Sequence, residues 1–209
     1  HSRRRRDEGA REVPHRRLAR VNTAVTERAR LLGLATDLIL REGVIDMSLS
    51  AIARGIGSNN RMVLYYFGSK QGLLDEAAQA AFERFPRLRD MFARLAGDGS
   101  IEQRLLAVWE DLSAPENHPF LRLFFQQFGT AMRDRDGWDA FTDRIAHEWI
   151  DATAEVLRRD GFGADDARVA ATQLVGLWRG LQFLTLTGVD PDELRAANRA
   201  TVHALLTRR

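Results

Sequence analysis

Residues 57–70, GSNNRMVLYYFGSK, place small polar side chains, an arginine, two tyrosines and the only lysine of the chain in one short stretch. Asparagine and arginine can each form two hydrogen bonds with a single base, adenine and guanine respectively. Tyrosine and lysine side chains can donate hydrogen bonds to phosphates. The stretch therefore predicts a nucleic-acid contact. Its base-facing end is formed by Ser58, Asn59, Asn60 and Arg61, and the donors to phosphates are Tyr65, Tyr66 and Lys70.

Three helices before residue 70 would position these side chains as a helix-turn-helix. Apolar residues at three- and four-residue steps predict a first helix that Gly43 ends. Ser48 can cap a short second helix, and Gly57 suits a tight turn with positive φ. Val63 and Phe67 would anchor the third helix on the first two. The predicted helices cover residues 23–42, 49–54 and 59–67.

The run LSAIARGIGSNNRMVLYYFGSKQGLL, preceded by RARLLGLATDLILREG, resembles the DNA-binding domain of TetR-family transcriptional regulators. The resemblance covers about residues 28–75 and rests on a tyrosine pair, a phenylalanine, a small residue and a lysine that lead into helix four. It implies a reading head made by helices two and three. The implied backbone contacts are Ser48, Ser50, Tyr66 and Lys70, and the implied base contacts are Asn59, Asn60 and Arg61. Ser58 lies beside the base contacts, and Tyr65 can replace the phosphate-contacting tyrosine that the family has where Leu64 stands here.

Charge is divided unevenly along the chain. Residues 1–70 carry a net charge of +7, whereas residues 71–209 carry −5. This asymmetry is expected when one end of a protein faces a polyanion. Residues 1–22 are arginine-rich without apolar periodicity and predict a flexible basic arm. Such an arm is either a solvated tail or a further contact to phosphates or the minor groove.

The remainder of the chain also has a helical pattern. Six further helices are predicted, over residues 71–85, 100–112, 119–132, 138–159, 165–187 and 191–207. Ser100 and Gln103 form a capping-box pattern, and Asp190 followed by Pro191 marks the start of the last helix. About nine helices and no strand predict an all-α protein, with a DNA-binding domain over residues 23–70 and an effector-binding and dimerisation domain over residues 71–209.

Aromatic residues are dense in the C-terminal part and would fill an ordinary helical core or line a cavity. The family resemblance favours the cavity, because TetR-like proteins place their effector pocket among the central helices. The residues assigned to ligand binding are Trp109, Phe124, Phe125, Phe128, Trp138, Phe141, His147 and Trp149.

The last two predicted helices carry regular apolar stripes that suit close packing. They form either an intramolecular seam or, as the family resemblance implies, a four-helix dimer interface. The residues assigned to this interface are Ala170, Leu174, Leu177, Gly180, Leu181, Leu184, Leu194, Ala197, Thr201 and Ala204.

Composition excludes several classes of protein. No apolar run approaches the ~18 residues of a membrane span, and no cysteine is present, so we expect a soluble cytoplasmic protein. No cofactor or metal motif is found, and none of the usual catalytic motifs is present. We therefore expect a homodimeric regulator, in particular a repressor, that binds a palindromic operator and is released by a small apolar or amphipathic effector. The alternatives are a sequence-independent architectural DNA-binding protein and, less favoured, a helical enzyme.

Overall fold

The described residues fold into helices and the turns that join them. The computed structural model describes residues 14–43, 47–133 and 147–207, and these ranges contain no strand. They form eleven α-helices and one 3₁₀ helix, Pro115–Asn117, which confirms the predicted all-α class. The α-helices are α1 (Pro14–Glu42), α2 (Leu49–Gly55), α3 (Asn60–Phe67), α4 (Lys70–Glu83), α5 (Pro86–Arg89), α6 (Met91–Leu95), α7 (Ile101–Leu112), α8 (His118–Arg133), α9 (Trp149–Arg159), α10 (Ala164–Leu186) and α11 (Pro191–Leu206).

The first helix begins earlier than predicted. Its backbone is helical from Pro14, so residues 14–22, which were predicted to belong to a flexible arm, are the first turns of α1. Proline is favourable at the first helical position, and a helix already formed extends at little cost without an apolar face of its own. The rest of the predicted arm, residues 1–13, lies outside the described residues.

The segment after α4 also differs from the prediction. Pro86 begins α5, a helix of one turn, and α6 follows it directly. Proline ends the preceding helix because it lacks a backbone N–H, yet its φ angle suits a new helix start. These two short helices raise the count within the described residues above the nine that were predicted.

Two apolar clusters hold these helices together. The N-terminal cluster joins α1, α2, α3 and α4, and Leu123 of α8 closes it. The C-terminal cluster joins α5, α6, α7, α9, α10 and α11 around the fully buried Trp109 and Trp178. Phe120 of α8 packs against both clusters. The N-terminal helices are therefore packed directly on the C-terminal body.

A buried hydrogen bond joins α10 to α11 inside the second cluster. Trp178 Nε1 donates to Asn198 Oδ1 at 3.1 Å, and both side chains are buried. We expect Asn198→Ala to lower the free energy of unfolding by about 1–3 kcal/mol, because it leaves the buried indole N–H without an acceptor. Chemical denaturation measures this loss. In a Trp178→Phe background the same substitution should cost clearly less, and an equal cost in both backgrounds would contradict the explanation.

Candidate DNA-reading head and effector cavity

Local hydrogen bonds position the start of α3. Ser48 caps α2 as predicted, since its Oγ accepts a hydrogen bond from Ala51 N at 3.1 Å. Gly57 has φ of 65° in the turn that follows, a conformation that glycine adopts without a steric penalty. Asn59 then caps α3, because its Oδ1 accepts from Met62 N at 3.0 Å. The turn and the two caps set the direction of α3.

A second tight turn joins α3 to α4. Gly68 has φ of 74° and donates its N–H to Leu64 O at 2.9 Å, which ends α3. Ser69 caps the next helix through a 2.9 Å bond from Gly72 N to its Oγ. The first residue of α4 is Lys70, which therefore lies directly behind the end of α3.

The third helix has one buried face and one exposed face. Val63 and Phe67 are buried in the N-terminal cluster, four residues apart. Arg61, Leu64 and Tyr65 are exposed on the opposite side. Helices of this kind bind DNA by placing an exposed face in the major groove while the buried face anchors them. The structure therefore has the predicted arrangement, with polar side chains exposed at the start of α3 and apolar side chains holding the helix against the N-terminal cluster.

The residues assigned to DNA contact lie together on this surface. Ser48, Ser50, Asn59, Asn60, Arg61 and Tyr65 are exposed, and Ser58, Tyr66 and Lys70 are half-buried. Asn60 Nδ2 donates to Ser50 Oγ at 2.9 Å, which ties α3 to α2. Asn59 already uses its Oδ1 as the helix cap. Among the described residues Arg61 has neither a hydrogen bond nor an ion pair, so its whole guanidinium is available to a base.

The two tyrosines have different environments. Tyr65 is 73% exposed, whereas Tyr66 packs partly against the N-terminal cluster. Their rings meet edge to face with centroids 5.0 Å apart. A largely exposed tyrosine is free to donate its hydroxyl to a phosphate, so Tyr65 suits a backbone contact better than Tyr66 does.

Arg28 connects the reading head to α4, a role that sequence reasoning missed. Its Nη2 lies 2.7 Å from both carboxylate oxygens of Glu76, and its Nε donates to Tyr66 O at 3.3 Å. Its guanidinium carbon lies 4.9 Å from the centroid of the Phe67 ring. One side chain thus holds α1, α3 and α4 in a fixed arrangement. Arg28 lies 38 positions from Tyr66 and 48 positions from Glu76, so the periodicity within one helix gives no signal of these contacts.

A cavity of about 480 Å³ lies on the other side of α4. Its walls come from α4, α5, α6, α8, α10 and the start of α9. The aromatic lining residues are Phe82, Phe92, Phe120, Phe124 and Trp149. A cavity of this size with apolar walls and a few polar groups is typical of a small-molecule site.

The predicted ligand residues are only partly gathered at this cavity. Phe124 and Trp149 line it. Trp109 is 2% exposed and belongs to the C-terminal core, while Phe125 lines a separate open groove beside Phe183. Phe128 is exposed and stacks on Phe124, and His147 is exposed without lining the cavity. Trp138 and Phe141 lie outside the described residues.

Arg179 of α10 lines the cavity and was not among the predicted residues. Its guanidinium carbon lies 4.5 Å from the Phe124 ring centroid and 3.8 Å from the Trp149 ring centroid. Its Nη1 donates to Gln182 Oε1 at 3.1 Å. Burial lowers the pKa of Arg179 to about 10, so the side chain remains charged at neutral pH. Arg179 is the only charged residue between Arg168 and Asp190, and this could have signalled the site, because a charge within an apolar helix needs a specific environment.

The predicted dimer residues divide between the core and the surface. Ala170, Leu174, Leu181 and Leu194 are buried in the C-terminal cluster, where the intramolecular alternative is the one observed. Leu177 also packs partly against that cluster, and Thr201 is half-buried. The exposed members are Gly180, Leu184, Ala197 and Ala204. Most of the apolar stripe of α10 therefore packs against its own chain, and a different face of α10 is exposed.

That outward face of α10 is partly apolar. Val169 is 57% exposed and Phe183 is 53% exposed. Gly176 and Gly180 lie between them, and a Cβ atom added at either glycine would meet no other atom of the chain within 4 Å. We call these four residues the α10 outer face.

The part of the chain that the structure describes has neither a membrane-spanning helix nor a cluster of metal-binding side chains. None of its helices has the length and apolarity that a bilayer crossing requires. Its His, Asp and Glu side chains do not assemble into a group of three or more that could hold a metal ion.

Residues near the N-terminus resemble a known protein family, and the fold resembles those of several solved structures. Residues 31–77 match the family model described as bacterial regulatory proteins, tetR family. A crystal structure from Rhodococcus sp., described as that of a TetR-family transcriptional regulator, has a TM-score of 0.68 at 18% identity and covers 85% of this chain and 97% of that one. Salmonella enterica GusR has a TM-score of 0.67 at 18% identity, with 86% and 95% covered. A protein from Saccharomonospora viridis described as a transcriptional regulator, in complex with choline, has a TM-score of 0.64 at 24% identity, with 86% and 96% covered. These likenesses establish the fold, and no curated protein matches the chain in sequence.

Proposed function

We propose that the chain is a TetR-family DNA-binding regulator, not an enzyme, and that it acts as a cytoplasmic repressor released from its operator by a small-molecule effector. The match of residues 31–77 to the tetR family model and the shared fold support this proposal. The chain acts as a homodimer on a palindromic site. Residues 23–70 serve DNA binding, and residues 71–209 serve effector binding and dimerisation. The observation that carries the proposal is the exposed polar face of α3, held rigidly by two turns and by the Asn60 to Ser50 bond.

Direct base reading is assigned to the start of α3. Arg61 can donate two hydrogen bonds to guanine, and Asn60 can offer its Oδ1 while its Nδ2 is held by Ser50. Ser48, Ser50, Tyr65 and Lys70 surround these two residues and suit phosphate contacts. Base contacts supply the sequence preference, and the phosphate contacts set the orientation of the head on the duplex.

Dimerisation is assigned to the α10 outer face together with the exposed alanines of α11. Glycines leave room for a second helix to approach closely, and Val169 and Phe183 would lose exposed apolar surface on contact. A two-fold axis along this face presents two reading heads to the same side of a duplex. Adjacent half-sites on DNA are about 34–36 Å apart, which the dimer would have to match.

The effector acts through α4. This helix begins at Lys70 in the reading head, binds Arg28 through Glu76, and contributes Phe82 to the cavity wall. A ligand that fits the cavity only when α4 moves favours a dimer geometry that no longer matches DNA. Release then follows from population shift, which requires tighter binding of the ligand to the non-DNA geometry. A protein of this fold has been crystallised with choline, which supports a small organic effector.

Selection of bound duplexes from a random DNA pool, repeated at two salt concentrations, tests the proposed function. An inverted repeat that persists at the higher salt is the expected result, since base contacts resist salt better than phosphate attraction does. Selection of no sequence, with binding that collapses as salt rises, would favour the architectural alternative. Selection of a single unrepeated half-site would refute the dimer.

Lys70 is expected to contact phosphate and not bases. Lys70→Gln should weaken binding to the selected operator and to a scrambled duplex by similar factors, and should reduce the slope of log affinity against log salt by about one. Titrations at four or more salt concentrations measure that slope. Lys70→Arg keeps the charge and should keep the slope. A loss confined to the operator would contradict the assignment.

A further inference from the structure

The position of Arg179 limits what the cavity can bind. Its guanidinium carbon lies 4.5 Å from the centroid of the Phe124 ring and 3.8 Å from that of the Trp149 ring, so two aromatic rings lie against the cation. The N–H donors of a guanidinium lie at its edges, and they form a planar fork that matches a carboxylate. One of these donors is bonded to Gln182. The Nε–H is buried and has no partner among the described residues.

The charge of Arg179 is not balanced by a carboxylate of the described chain. None of the described Asp or Glu side chains lies within 4 Å of its nitrogens. The other charged groups of the cavity, Asp75, Arg89 and Glu148, are all exposed at its edge. Arg89 is paired with Asp90, 2.7 Å away. A partly buried cation without a counter-ion is costly, and a bound anion would remove that cost.

From this arrangement we propose that the effector is an amphipathic organic anion, whose carboxylate or other acidic head pairs with Arg179 while its apolar body lies among Phe82, Phe92 and Phe120. The inference rests on the proposed function, in which this cavity is the effector site. It names the chemical class that the site accepts. The cavity volume of about 480 Å³ leaves room for an apolar body the size of one or two rings or a medium alkyl chain.

An organic cation is the competing ligand class, because aromatic rings and edge carboxylates often bind such cations. In this cavity the Phe124 and Trp149 rings already bind the guanidinium of Arg179. A second cation on the same rings would be next to a like charge in a poorly solvated place, which disfavours it. A neutral ligand would bury its apolar body but leave the Arg179 donors unpaired.

A pair of fluorescent probes separates these classes on the full-length chain. The first probe is 8-anilino-1-naphthalenesulfonate, which is an anion, and the second is N-phenyl-1-naphthylamine, the same ring system without the sulfonate. Both fluoresce in apolar surroundings, so their dissociation constants follow from titration. We expect the anion to bind about tenfold to hundredfold more tightly, as a charge-assisted hydrogen-bonded pair warrants.

Variants assign that preference to one side chain. Arg179→Met should weaken the anionic probe at least tenfold and leave the neutral probe within threefold. The matched control is Arg159→Met, since Arg159 is an exposed arginine at the end of α9, away from the cavity, and should change neither probe. An anion preference that survives Arg179→Met would overturn the inference.

A competition experiment on the unsubstituted protein keeps the test decisive if Arg179→Met does not fold. Decanoate should displace N-phenyl-1-naphthylamine at concentrations at least tenfold below those of decanamide, and decyltrimethylammonium should be the weakest competitor. Equal displacement by all three, or strongest displacement by the cation, would refute an anion site. Selection of bound duplexes with the same protein sample tests the proposed DNA binding independently of the ligand preference of the cavity. If selection succeeds while the cavity prefers cations or neutral molecules, only the inference fails.

Discussion

The double substitution Gly176→Arg/Gly180→Arg is expected to give a folded protein that is monomeric and binds its operator at least a hundredfold more weakly. Both glycines lie on the α10 outer face with open space where a Cβ would stand, so arginine there does not disturb the packing of the single chain. Arginine is also a better helix former than glycine, by up to about 1 kcal/mol per residue. The substitutions therefore act on contacts between chains.

The loss of affinity follows from the loss of avidity. A dimer binds its second half-site as an intramolecular event, which commonly strengthens binding by about 10² to 10⁴. Two arginines at a close helix contact would prevent that approach through bulk and like charge. Light scattering after size-exclusion chromatography measures the mass, and titration of the selected duplex measures the affinity.

Ala107→Arg is the matched control for this double substitution. Ala107 is exposed on α7, so arginine there adds the same kind of side chain to another helix surface. We expect it to leave the dimer and its operator affinity unchanged. A double variant that remained dimeric would show that the chains associate through a different face.

Arg61→Ala is expected to weaken binding to the selected operator by roughly hundredfold while changing binding to a scrambled duplex by only a fewfold. A bidentate arginine contact to guanine contributes about 1–3 kcal/mol, and a dimer uses Arg61 in both half-sites. The side chain is exposed at the first turn of α3 and has no partner among the described residues, so its removal should not alter the melting temperature.

Arg61→Lys distinguishes the contribution of the paired guanidinium hydrogen bonds from that of the positive charge. Lysine keeps the positive charge but cannot reproduce the planar pair of donors. We expect it to bind the scrambled duplex as well as the unsubstituted protein does, and to lose part of the operator preference. If Arg61→Ala weakened both duplexes by the same factor, Arg61 would be a phosphate contact, and the base reading would have to be sought at Asn60 and Leu64.

Much of the reading head follows from the sequence because its determinants are local. The cap of α2 by Ser48 and the positive φ of Gly57 each depend on residues within a few positions of one another, and so does the capping box of Ser100 with Gln103 at the start of α7. The buried spacing of Val63 and Phe67 is likewise a property of one helix. The second role of Asn59 as the cap of α3 was missed, since its residue type suits both a cap and a base contact.

Periodicity and local signals along the sequence are enough to predict an all-α chain, the approximate bounds of most helices, and a short segment whose residues suit DNA contact. Which side of each long helix is buried depends on the packing between helices. The leucines of α10 form a regular stripe that would suit a second chain as well as its own, and the structure buries Leu174 and Leu181 of that stripe in the C-terminal cluster. Only the packing of distant helices leaves Gly176 and Gly180 outward and brings Arg28 to Glu76. The same packing sets Arg179 against Phe124 and Trp149, because contacts between residues far apart in the chain depend on how whole helices pack and not on the periodicity within any one of them.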